Sequence, residues 1–221
     1  MNRPTIDYVV LTKDCPDVTK LLKYLNETKE KDDTLLILDD YSTPENVSLY
    51  KQYTNKVYQH HLNLDFATHK NEMWTHCKSQ YSFWIDADEM PQEFLMKNIK
   101  HILMETKLPD LVAVPRRNII EGLMPIDALK YNWDVTDGNV IQWLRGDYQR
   151  RIIKNRRGLK WFGAVHETII PKKEHNCITL AKEIPFCLMH YKTIEQQHKS
   201  NDFYNTNWSA ELNKAGGSYA D

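Results

Sequence analysis

The sequence Tyr81-Ser82-Phe83-Trp84-Ile85-Asp86-Ala87-Asp88-Glu89-Met90 decides the fold of this chain. Its aromatic and branched residues predict a buried strand that ends in three acids, Asp86, Asp88 and Glu89. In open α/β sheets, ligands bind in the crevice at the carboxyl ends of the strands. Two aspartates one residue apart at such an end can share a divalent cation that also holds phosphate oxygens. The stretch therefore predicts a site for a metal ion and a diphosphate.

A structural role for one of these acids is the alternative. Asp88 could cap a helix over Pro91 to Glu105, where apolar residues recur at helical spacing. Capping leaves Asp86 and Glu89 unexplained, and acids at the end of a buried strand lose hydration unless a cation shares the space. We therefore favour a functional acidic cluster over a helix cap.

Length and composition indicate one ordinary globular domain over residues 1–221. The chain is 41% hydrophobic and 27% charged, and no apolar run approaches the length of a membrane span. The first residues carry no signal-peptide pattern, so a cytoplasmic location is expected. The four scattered cysteines show no Cys-x-x-Cys spacing and are expected to be reduced thiols, not zinc ligands or disulfides.

Strands and helices are predicted to alternate over the first half of the chain. The expected strands are Ile6 to Leu11, Thr34 to Leu38 and Val57 to His60. Helices are expected after Asp14 and Pro16, from Pro44 to about Asn55, and from Phe66 to about Ser79. Ser42 and Glu45 have the spacing of a capping box for the second of these helices. This alternation indicates βαβ units and a mainly parallel sheet.

Polar residues at the strand ends are expected to face one crevice. They are Thr12, Asp14, Asp39, Asp40, Asp86 and Asp88. The sequence contains neither Gly-x-Gly-x-x-Gly nor a P-loop pattern, so a dinucleotide fold and a P-loop are both unsupported. Phosphates would then be held by a metal ion and by side chains.

The second half of the chain has a less regular pattern. Strands are predicted at Leu111 to Pro115, Gln149 to Lys154, Lys160 to Phe162 and Ile184 to Met189, and a terminal helix at Ile194 to Leu212. The segment between Arg116 and Asn139 is expected to be irregular. Because a long loop inside a compact domain is usually functional, we interpret it as an acceptor lid.

A local excess of basic residues lies within the nearly neutral chain, whose formal net charge is -1. Such a patch suits an anionic partner, although a solvated surface strand pair is the plainer explanation. Its basic residues are Arg145, Arg150, Arg151, Lys154, Arg156, Arg157 and Lys160.

Several stretches resemble the small GT-A glycosyltransferases of the family 2 type, in particular soluble bacterial and phage members related to lipopolysaccharide-core glucosyltransferases. Leu36 to Thr43 is similar to the family's nucleotide-binding turn, and Phe66 to Asn71 to its Phe-Ala-x-x-Arg-Asn segment, with Lys70 replacing arginine. Trp84 to Glu89 matches the Asp-Ala-Asp-Glu form of the DXD metal motif. Asp147 to Arg151, followed by Trp161 to Glu167, resemble the acceptor-side Asp-x-Gln-x-Arg and Val-His-Glu segments.

The resemblance implies a fold. It is a single α/β GT-A domain, a Rossmann-like nucleotide-diphospho-sugar transferase. Its mainly parallel central sheet is flanked by helices and followed by a small antiparallel acceptor-side region. Residues 1–110 would form the nucleotide-sugar-binding half, and residues 111–221 the acceptor-binding half.

The resemblance also implies a role for each matching residue. Asp39, Asp40 and Thr12 would hold the base and ribose of a nucleotide-sugar, most often a UDP-sugar, with Asp14 close by. Lys70 would supply positive charge near the base or diphosphate, although lysine lacks the planar fork of arginine. Gln149 and Arg151 would contact donor or acceptor. Asp86 would contact the ribose or a metal-bound water, Asp88 would bind Mn²⁺ or Mg²⁺ directly, and His190 would be a further metal ligand.

The implied reaction is inverting sugar transfer, which requires a carboxylate base opposite the leaving group. Asp147 and Glu167 are the candidates, and Glu167 is preferred because His166 could orient it. A nucleotidyltransferase on a similar sheet and a catalytically silent binding module are the competing classes. The acceptor would be a saccharide or surface glycan. The basic stretch adds a polyanion as an alternative, such as hydroxymethylated bases of phage DNA, bound through Arg145, Arg150, Arg151, Lys154, Arg156 and Arg157.

Overall fold

A large mixed sheet forms the centre of the protein. The computed structural model describes residues 3–15, 17–142, 147–156, 158–170, 176–209 and 212. Within these ranges the strands are β1 (Ile6–Thr12), β2 (Thr34–Asp39), β3 (Val57–Gln59), β4 (Tyr81–Asp86), β5 (Glu89–Pro91), β6 (Leu111–Glu121), β7 (Asp134–Thr136), β8 (Val140–Gln142), β9 (Asp147–Lys154), β10 (Lys160–Phe162), β11 (Thr168–Ile170), β12 (Cys177–Thr179) and β13 (Leu188–Thr193). The helices are α1 (Val18–Thr28), α2 (Pro44–Tyr50), α3 (Phe66–Trp74), α4 (Glu93–Glu105), α5 (Pro125–Tyr131) and α6 (Ile194–Asn207), with a 3₁₀ turn at Ile184–Phe186.

The first four strands form the parallel part of the sheet, in the order β3-β2-β1-β4. β1 lies at its centre, with Thr12 opposite Asp39 of β2 and Leu11 opposite Asp86 of β4. Parallel neighbours require crossover connections, and the helices α1, α2 and α3 lie in them. The carboxyl ends of β1, β2 and β4 therefore meet at one edge, as the sequence predicts.

Helices cover both faces of this parallel part. Successive side chains of a strand point to opposite faces, so Tyr8 and Val10 of β1 pack in one apolar cluster with α1 and α4. Val9, between them, packs in a second cluster with α3 residues and with the buried Trp84 of β4. Burial on both faces explains why these strands are almost continuously apolar.

The second half of the chain extends the sheet with mixed directions. β9 lies between β4 and β6 and runs antiparallel to both, while β13 lies parallel to β6 on its other side. β5 follows β4 in sequence but pairs antiparallel with β13 at the far end of the sheet. The short β10–β11 hairpin stands apart from the large sheet. The α/β class and the mainly parallel first half are confirmed, whereas the division at residue 110 stays a prediction.

Four details of the predicted elements are wrong. The segment from Arg116 is no loop: β6 continues to Glu121, because β13 and β8 pair with it, and α5, β7 and β8 follow. α2 and α3 end at Tyr50 and Trp74, several residues earlier than expected. The last strand begins at Leu188, after the 3₁₀ turn, so that His190 lies within it. The terminal helix ends at Asn207.

The capping box expected at Ser42 is absent, and so is the alternative helix cap by Asp88. Thr43 is the N-cap residue of α2 and makes no side-chain cap, while the Ser42 hydroxyl accepts a hydrogen bond from the Asp14 amide at 2.8 Å. Asp88 does not cap α4, because β5 intervenes and Gln92 is the N-cap residue. The capping alternative for Asp88 is therefore excluded.

None of the helices that the structure describes is long and apolar enough to span a membrane.

Candidate active site

Asp39 and Asp40 shape the turn that follows β2. The Asp39 carboxylate is fully buried and accepts hydrogen bonds from the Ser42 amide at 3.1 and 3.2 Å and from Gln59 Nε2 at 2.9 Å. Asp40 accepts from Lys13 Nζ at 2.9 Å and from the Leu62 amide at 3.1 Å. Both acids thus hold local structure at the edge where the parallel strands end.

Asp14, in the turn after β1, contacts the start of α2. Its carboxylate accepts hydrogen bonds from the Thr43 amide at 2.8 Å and from Asn46 Nδ2 at 2.7 Å. These bonds join the turn after β1 to the turn after β2, so Asp14 has a structural role. A nucleotide contact by Asp14 stays a prediction.

Thr12 differs from Asp14 in its hydrogen bonding. Its buried hydroxyl has no hydrogen-bond partner among the described residues. A buried polar group without a partner is costly unless a ligand or water satisfies it. Thr12 ends β1, beside Asp39 in register. Its hydroxyl therefore fits a role in ligand binding at this edge.

Asp86 is held by the guanidinium of Arg151. Arg151 Nη2 donates to Asp86 Oδ2 at 2.5 Å and to Glu89 Oε1 at 2.5 Å. Glu89 is fully buried and also accepts from the Asp86 amide at 3.0 Å. Burial alone would raise the pKa of Asp86, but the charge of Arg151 and then that of Lys70 hold this pKa far below its usual range.

A second arginine continues the network to Asp147. Arg116 donates from Nη1 to Glu89 at 3.3 Å and from Nε to Asp147 Oδ2 at 2.7 Å. Asp147 also accepts from Asn118 Nδ2 at 2.9 Å and Gln149 Nε2 at 2.5 Å. Burial opposes the effect, but the charge of Arg116 and these hydrogen bonds lower the pKa of Asp147. Asp147 therefore accepts three hydrogen bonds within this network.

Asp88, in the turn between β4 and β5, faces His190 of β13. His190 Nε2 lies 3.1 Å from Asp88 Oδ2, and its other ring nitrogen lies 2.7 Å from Asn118 Oδ1. Asn118 thereby fixes the orientation of the imidazole, as partners of metal-binding histidines do. Burial would raise the pKa of Asp88, but the hydrogen bond to His190 and its charge lower this pKa to about 2.

This pair can contribute part of a metal site. Among the described residues, no three histidine, cysteine, aspartate or glutamate side chains come together to hold a metal ion. Two protein ligands are nevertheless enough when the remaining positions are filled by phosphate oxygens and water, as is common for Mg²⁺. Asp88 and His190 therefore fit a divalent cation that arrives with a diphosphate, while Asp86 is already paired with Arg151.

Glu167 lies beside Lys70, and two local contacts explain this placement. Gly163, with a φ of 101°, turns the chain after β10, and the carbonyl oxygen of Ala164 accepts from the Phe66 amide at 2.9 Å. Asn71 brackets the Trp161 backbone with two hydrogen bonds of 2.9 Å. The hairpin is thus tied to α3, and Lys70 Nζ forms an ion pair with Glu167 and lies 4.5 Å from the centre of the Trp161 ring.

The described part of the basic stretch presents less positive charge at the surface than its sequence indicates. Arg151 is only 4% exposed and belongs to the network around Asp86, so it cannot serve a surface patch. Lys154 Nζ donates to the Leu108 carbonyl oxygen at 3.3 Å, and Arg156 Nε lies 3.1 Å from Asp110 Oδ1. Arg145 and Arg157 lie outside the described residues.

Sequence reasoning assigned no individual role to several residues of this site, although Glu89 was part of the predicted acidic cluster. Glu89 and Arg116 join the acidic strand end to Asp147, and Asn118 orients His190. Tyr204 of α6 stacks on His166 with ring centres 5.9 Å apart, and burial followed by the charges of Glu167 and Asp86 raises the pKa of its hydroxyl to about 12. The Asp-Ala-Asp-Glu and Arg-Arg-Asn sequences were visible signals for Glu89, Arg116 and Asn118, but no pattern indicated Tyr204.

The buried His69 and the partly buried His60, near the end of β3, are expected to make stability depend on pH. His69 Nδ1 lies 3.2 Å from His60 Nδ1, and burial followed by the charge of His60 lowers the pKa of His69 from 6.5 to about 4. The unfolded chain binds this proton more readily than the folded protein does. The contribution of neutral His69 to stability is therefore fully present above about pH 6.5 and is lost as the pH falls toward 4. We expect this group to remove up to about 3 kcal/mol from the free energy of unfolding.

Urea unfolding at pH 7, 5.5 and 4 measures this loss. His69→Gln should flatten the dependence, whereas His101→Gln, on the exposed side of α4, should leave it unchanged. An equally steep dependence in His69→Gln would contradict the assignment to His69.

The geometry described above is that of an α/β fold whose parallel strands end in a group of acids. Residues 9–120, half of the chain, match the model described as "Glycosyl transferase family 2". The chain therefore belongs to the family 2 glycosyltransferases, and the predicted family is confirmed. The acceptor-side motifs lie beyond the matched residues and stay predictions.

Solved structures agree with this fold. The crystal structure of S. aureus TarS 1-349 has a TM-score of 0.58 at 13% identity, covering 89% of this chain and 62% of that one. The mannosyltransferase PcManGT from Pyrobaculum calidifontis, in complex with GDP-Man and Mn²⁺, has a TM-score of 0.53 at 14% identity, covering 86% of this chain and 57% of that one. TarS 1-349 in complex with UDP-GlcNAc has a TM-score of 0.52 at 13% identity, covering 81% of this chain and 59% of that one.

These similarities establish the fold. The chain spans less than two thirds of the length of the chain in each of these three structures. No curated protein matches the sequence.

Proposed function

We propose that this protein transfers a sugar from a nucleotide-sugar to an acceptor hydroxyl, with a divalent cation and with inversion at the anomeric carbon. The observation that carries the proposal is the facing pair of Asp88 and His190, 3.1 Å apart, at the strand ends that also carry Thr12 and Asp39. Support also comes from two fold neighbours, TarS 1-349 in complex with UDP-GlcNAc and PcManGT in complex with GDP-Man and Mn²⁺. We infer a UDP-sugar as the donor, and a GDP-sugar is the natural comparison.

Different residues are proposed to bind the metal ion, the nucleoside and the phosphates of the donor. Asp88 and His190 would hold a Mn²⁺ or Mg²⁺ ion, which when bound stabilises the charge that grows on a departing diphosphate. Thr12 offers a hydroxyl to the nucleoside, and Lys70 offers a cation to the phosphates. Arg151 and Arg116 keep the surrounding acids fixed, so that little reorganisation accompanies the reaction.

Glu167 is the better candidate for the base. Burial raises its pKa, and the opposing charge and hydrogen bond come from Lys70, a flexible side chain that can be drawn away by a bound anion. Asp147 accepts hydrogen bonds from three fixed donors, which makes it a weak proton acceptor. We infer that Glu167 takes the proton of the acceptor hydroxyl on the side opposite the leaving group.

A saccharide hydroxyl is the acceptor that we propose. Recognition of DNA depends on several free cations along one surface. In the described part of the basic stretch, Arg151 is buried and Arg156 is paired with Asp110. This arrangement favours a glycan over a polyanion.

Thermal unfolding with candidate donors tests the proposal. A ligand at about 100 times its Kd stabilises a protein by about 2.7 kcal/mol, which raises Tm by several degrees. We expect a UDP-sugar, or else a GDP-sugar, to raise Tm in the presence of Mn²⁺ and much less with EDTA. A binding module would show the same shift without slow release of a nucleoside diphosphate, and a nucleotidyltransferase would respond to nucleoside triphosphates instead.

Loss of the metal ligands should abolish the effect of Mn²⁺. We expect Asp88→Asn and His190→Ala to lose most of the Mn²⁺-dependent rise in Tm, because each removes one of two protein ligands. Asp137→Asn, a change at a largely exposed acid paired with Arg117, is the matched control and should keep it. A full Mn²⁺ response in Asp88→Asn would contradict the proposed metal site.

A further inference from the structure

Lys70 forms an ion pair with Glu167, the carboxylate that we propose as the general base. Both side chains are largely buried, with 5% of Lys70 and 15% of Glu167 exposed. The Lys70 ammonium also lies over the Trp161 ring at 4.5 Å, which favours a cation at that position. A carboxylate paired in this way is a poor proton acceptor, because its pKa lies below the usual value. The structure therefore holds Glu167 in an inactive pairing.

The same ammonium also acts on the acidic strand end. After Arg151, the charge of Lys70 contributes most to lowering the pKa of Asp86. Lys70 thus contacts Glu167 on the acceptor side, and its charge also acts on Asp86 at the strand end where the diphosphate is proposed to bind. Lysine is a compact point charge on a flexible stem with three donors, so a small rotation can redirect it.

Four residues from four elements interact electrostatically with the Glu167 carboxylate. They are Lys70 of α3, Arg151 of β9, Asp86 of β4 and Tyr204 of α6. Arg151 is fixed by Asp86 and Glu89 at 2.5 Å each. Lys70 is therefore the cation whose movement would change the basicity of Glu167.

We propose that Lys70 is a donor-controlled latch, which pairs with Glu167 in the free protein and moves to the diphosphate when the donor binds. This inference rests on the proposed function. A diphosphate carries more negative charge than one carboxylate and competes for the ammonium. Glu167 then becomes a stronger proton acceptor only in the complex that contains the sugar to be transferred. No covalent bond forms at Lys70, which acts as a positioning residue.

Carboxyl ¹³C NMR titration of the full chain tests the latch. The Glu167 signal is assigned by its absence in Glu167→Gln. We expect the pKa of Glu167 to rise when UDP or GDP binds with Mg²⁺, and to remain low with UMP or GMP, which lack the second phosphate. Calorimetry on the same samples shows whether each nucleotide is bound.

The outcomes separate the latch from the proposed function. Binding of a nucleoside diphosphate without a change in the pKa of Glu167 overturns the latch and leaves the proposed function intact. Absence of binding by both UDP and GDP with Mg²⁺ overturns both, because the latch requires a diphosphate.

Replacement of Lys70 gives a second measurement. In Lys70→Met we expect the pKa of Glu167 to be raised already in the free protein and to respond no further to the nucleotide. Lys78→Met removes a lysine whose Nζ donates to the Thr75 carbonyl oxygen at 2.9 Å beyond the end of α3, and it should behave as the parent does. Should Lys70→Met not fold, the titration of the parent protein decides alone. A low pKa of Glu167 in folded Lys70→Met would contradict the latch.

Discussion

Replacing Glu167 by glutamine is expected to lower the rate of sugar transfer about 10³-fold, within the range typical for loss of a general base. The amide cannot take a proton, yet it has the shape of the carboxylate and its oxygen can still accept a hydrogen bond from Lys70. Donor affinity should therefore change little. The rate is measured as release of the nucleoside diphosphate from the donor identified by thermal unfolding, and the affinity by calorimetry.

Asp147→Asn is the matched comparison for this variant. Asp147 accepts hydrogen bonds from Arg116, Asn118 and Gln149, so its replacement disturbs a structural network. We expect a lower Tm and a smaller loss of rate than in Glu167→Gln. If folded Asp147→Asn were inactive while Glu167→Gln kept its rate, Asp147 would be the base.

The elements that were predictable from the sequence are those defined by local patterns. β1, β2 and β4 are continuous apolar runs, and α1 has Val18, Leu21, Leu22 and Leu25 at helical spacing, all buried. The acids at the strand ends follow from the same patterns. Their convergence at one edge needs only the rule that parallel strands align.

The elements that failed depend on partners distant in sequence. β6 continues past Arg116 because β13, about 70 residues further on, supplies hydrogen bonds up to Glu121. The expected capping box at Ser42 is absent, and Asp14 binds the Ser42 hydroxyl and the Thr43 amide instead. Neither contact leaves a periodic pattern in the sequence.

The site shows the same limit. The motif residues Asp86, Asp88 and His190 could be proposed from their neighbours in sequence, but their fixed partners could not. Arg151 stood within a run of basic residues, which indicated a surface patch, whereas it is buried and binds acids more than 60 residues away. Charge runs report composition, and only the fold determines which charges are buried.

The burial of Arg151 makes its replacement the largest expected effect on stability. Its guanidinium lies 2.5 Å from both Asp86 and Glu89, and the Glu89 side chain is fully buried. Removing one partner of a buried ion pair leaves an uncompensated charge, which costs about 3–5 kcal/mol. The free energy of unfolding of such domains is roughly 5–15 kcal/mol, so this cost is a large part of it.

Arg151→Met is therefore expected to lower the free energy of unfolding by about 3 kcal/mol, measured by urea unfolding at pH 7. Arg150→Met, at the adjacent and partly exposed position, loses a 2.8 Å hydrogen bond to Thr168 and should cost only about 1 kcal/mol. The charge on Glu89 is the reason for the difference. Adding Glu89→Gln to Arg151→Met should therefore recover part of the loss, because the buried charge disappears. Equal losses in Arg151→Met and Arg150→Met, or no recovery in the double variant, would show that the ion pair is not what stabilises this end of the sheet.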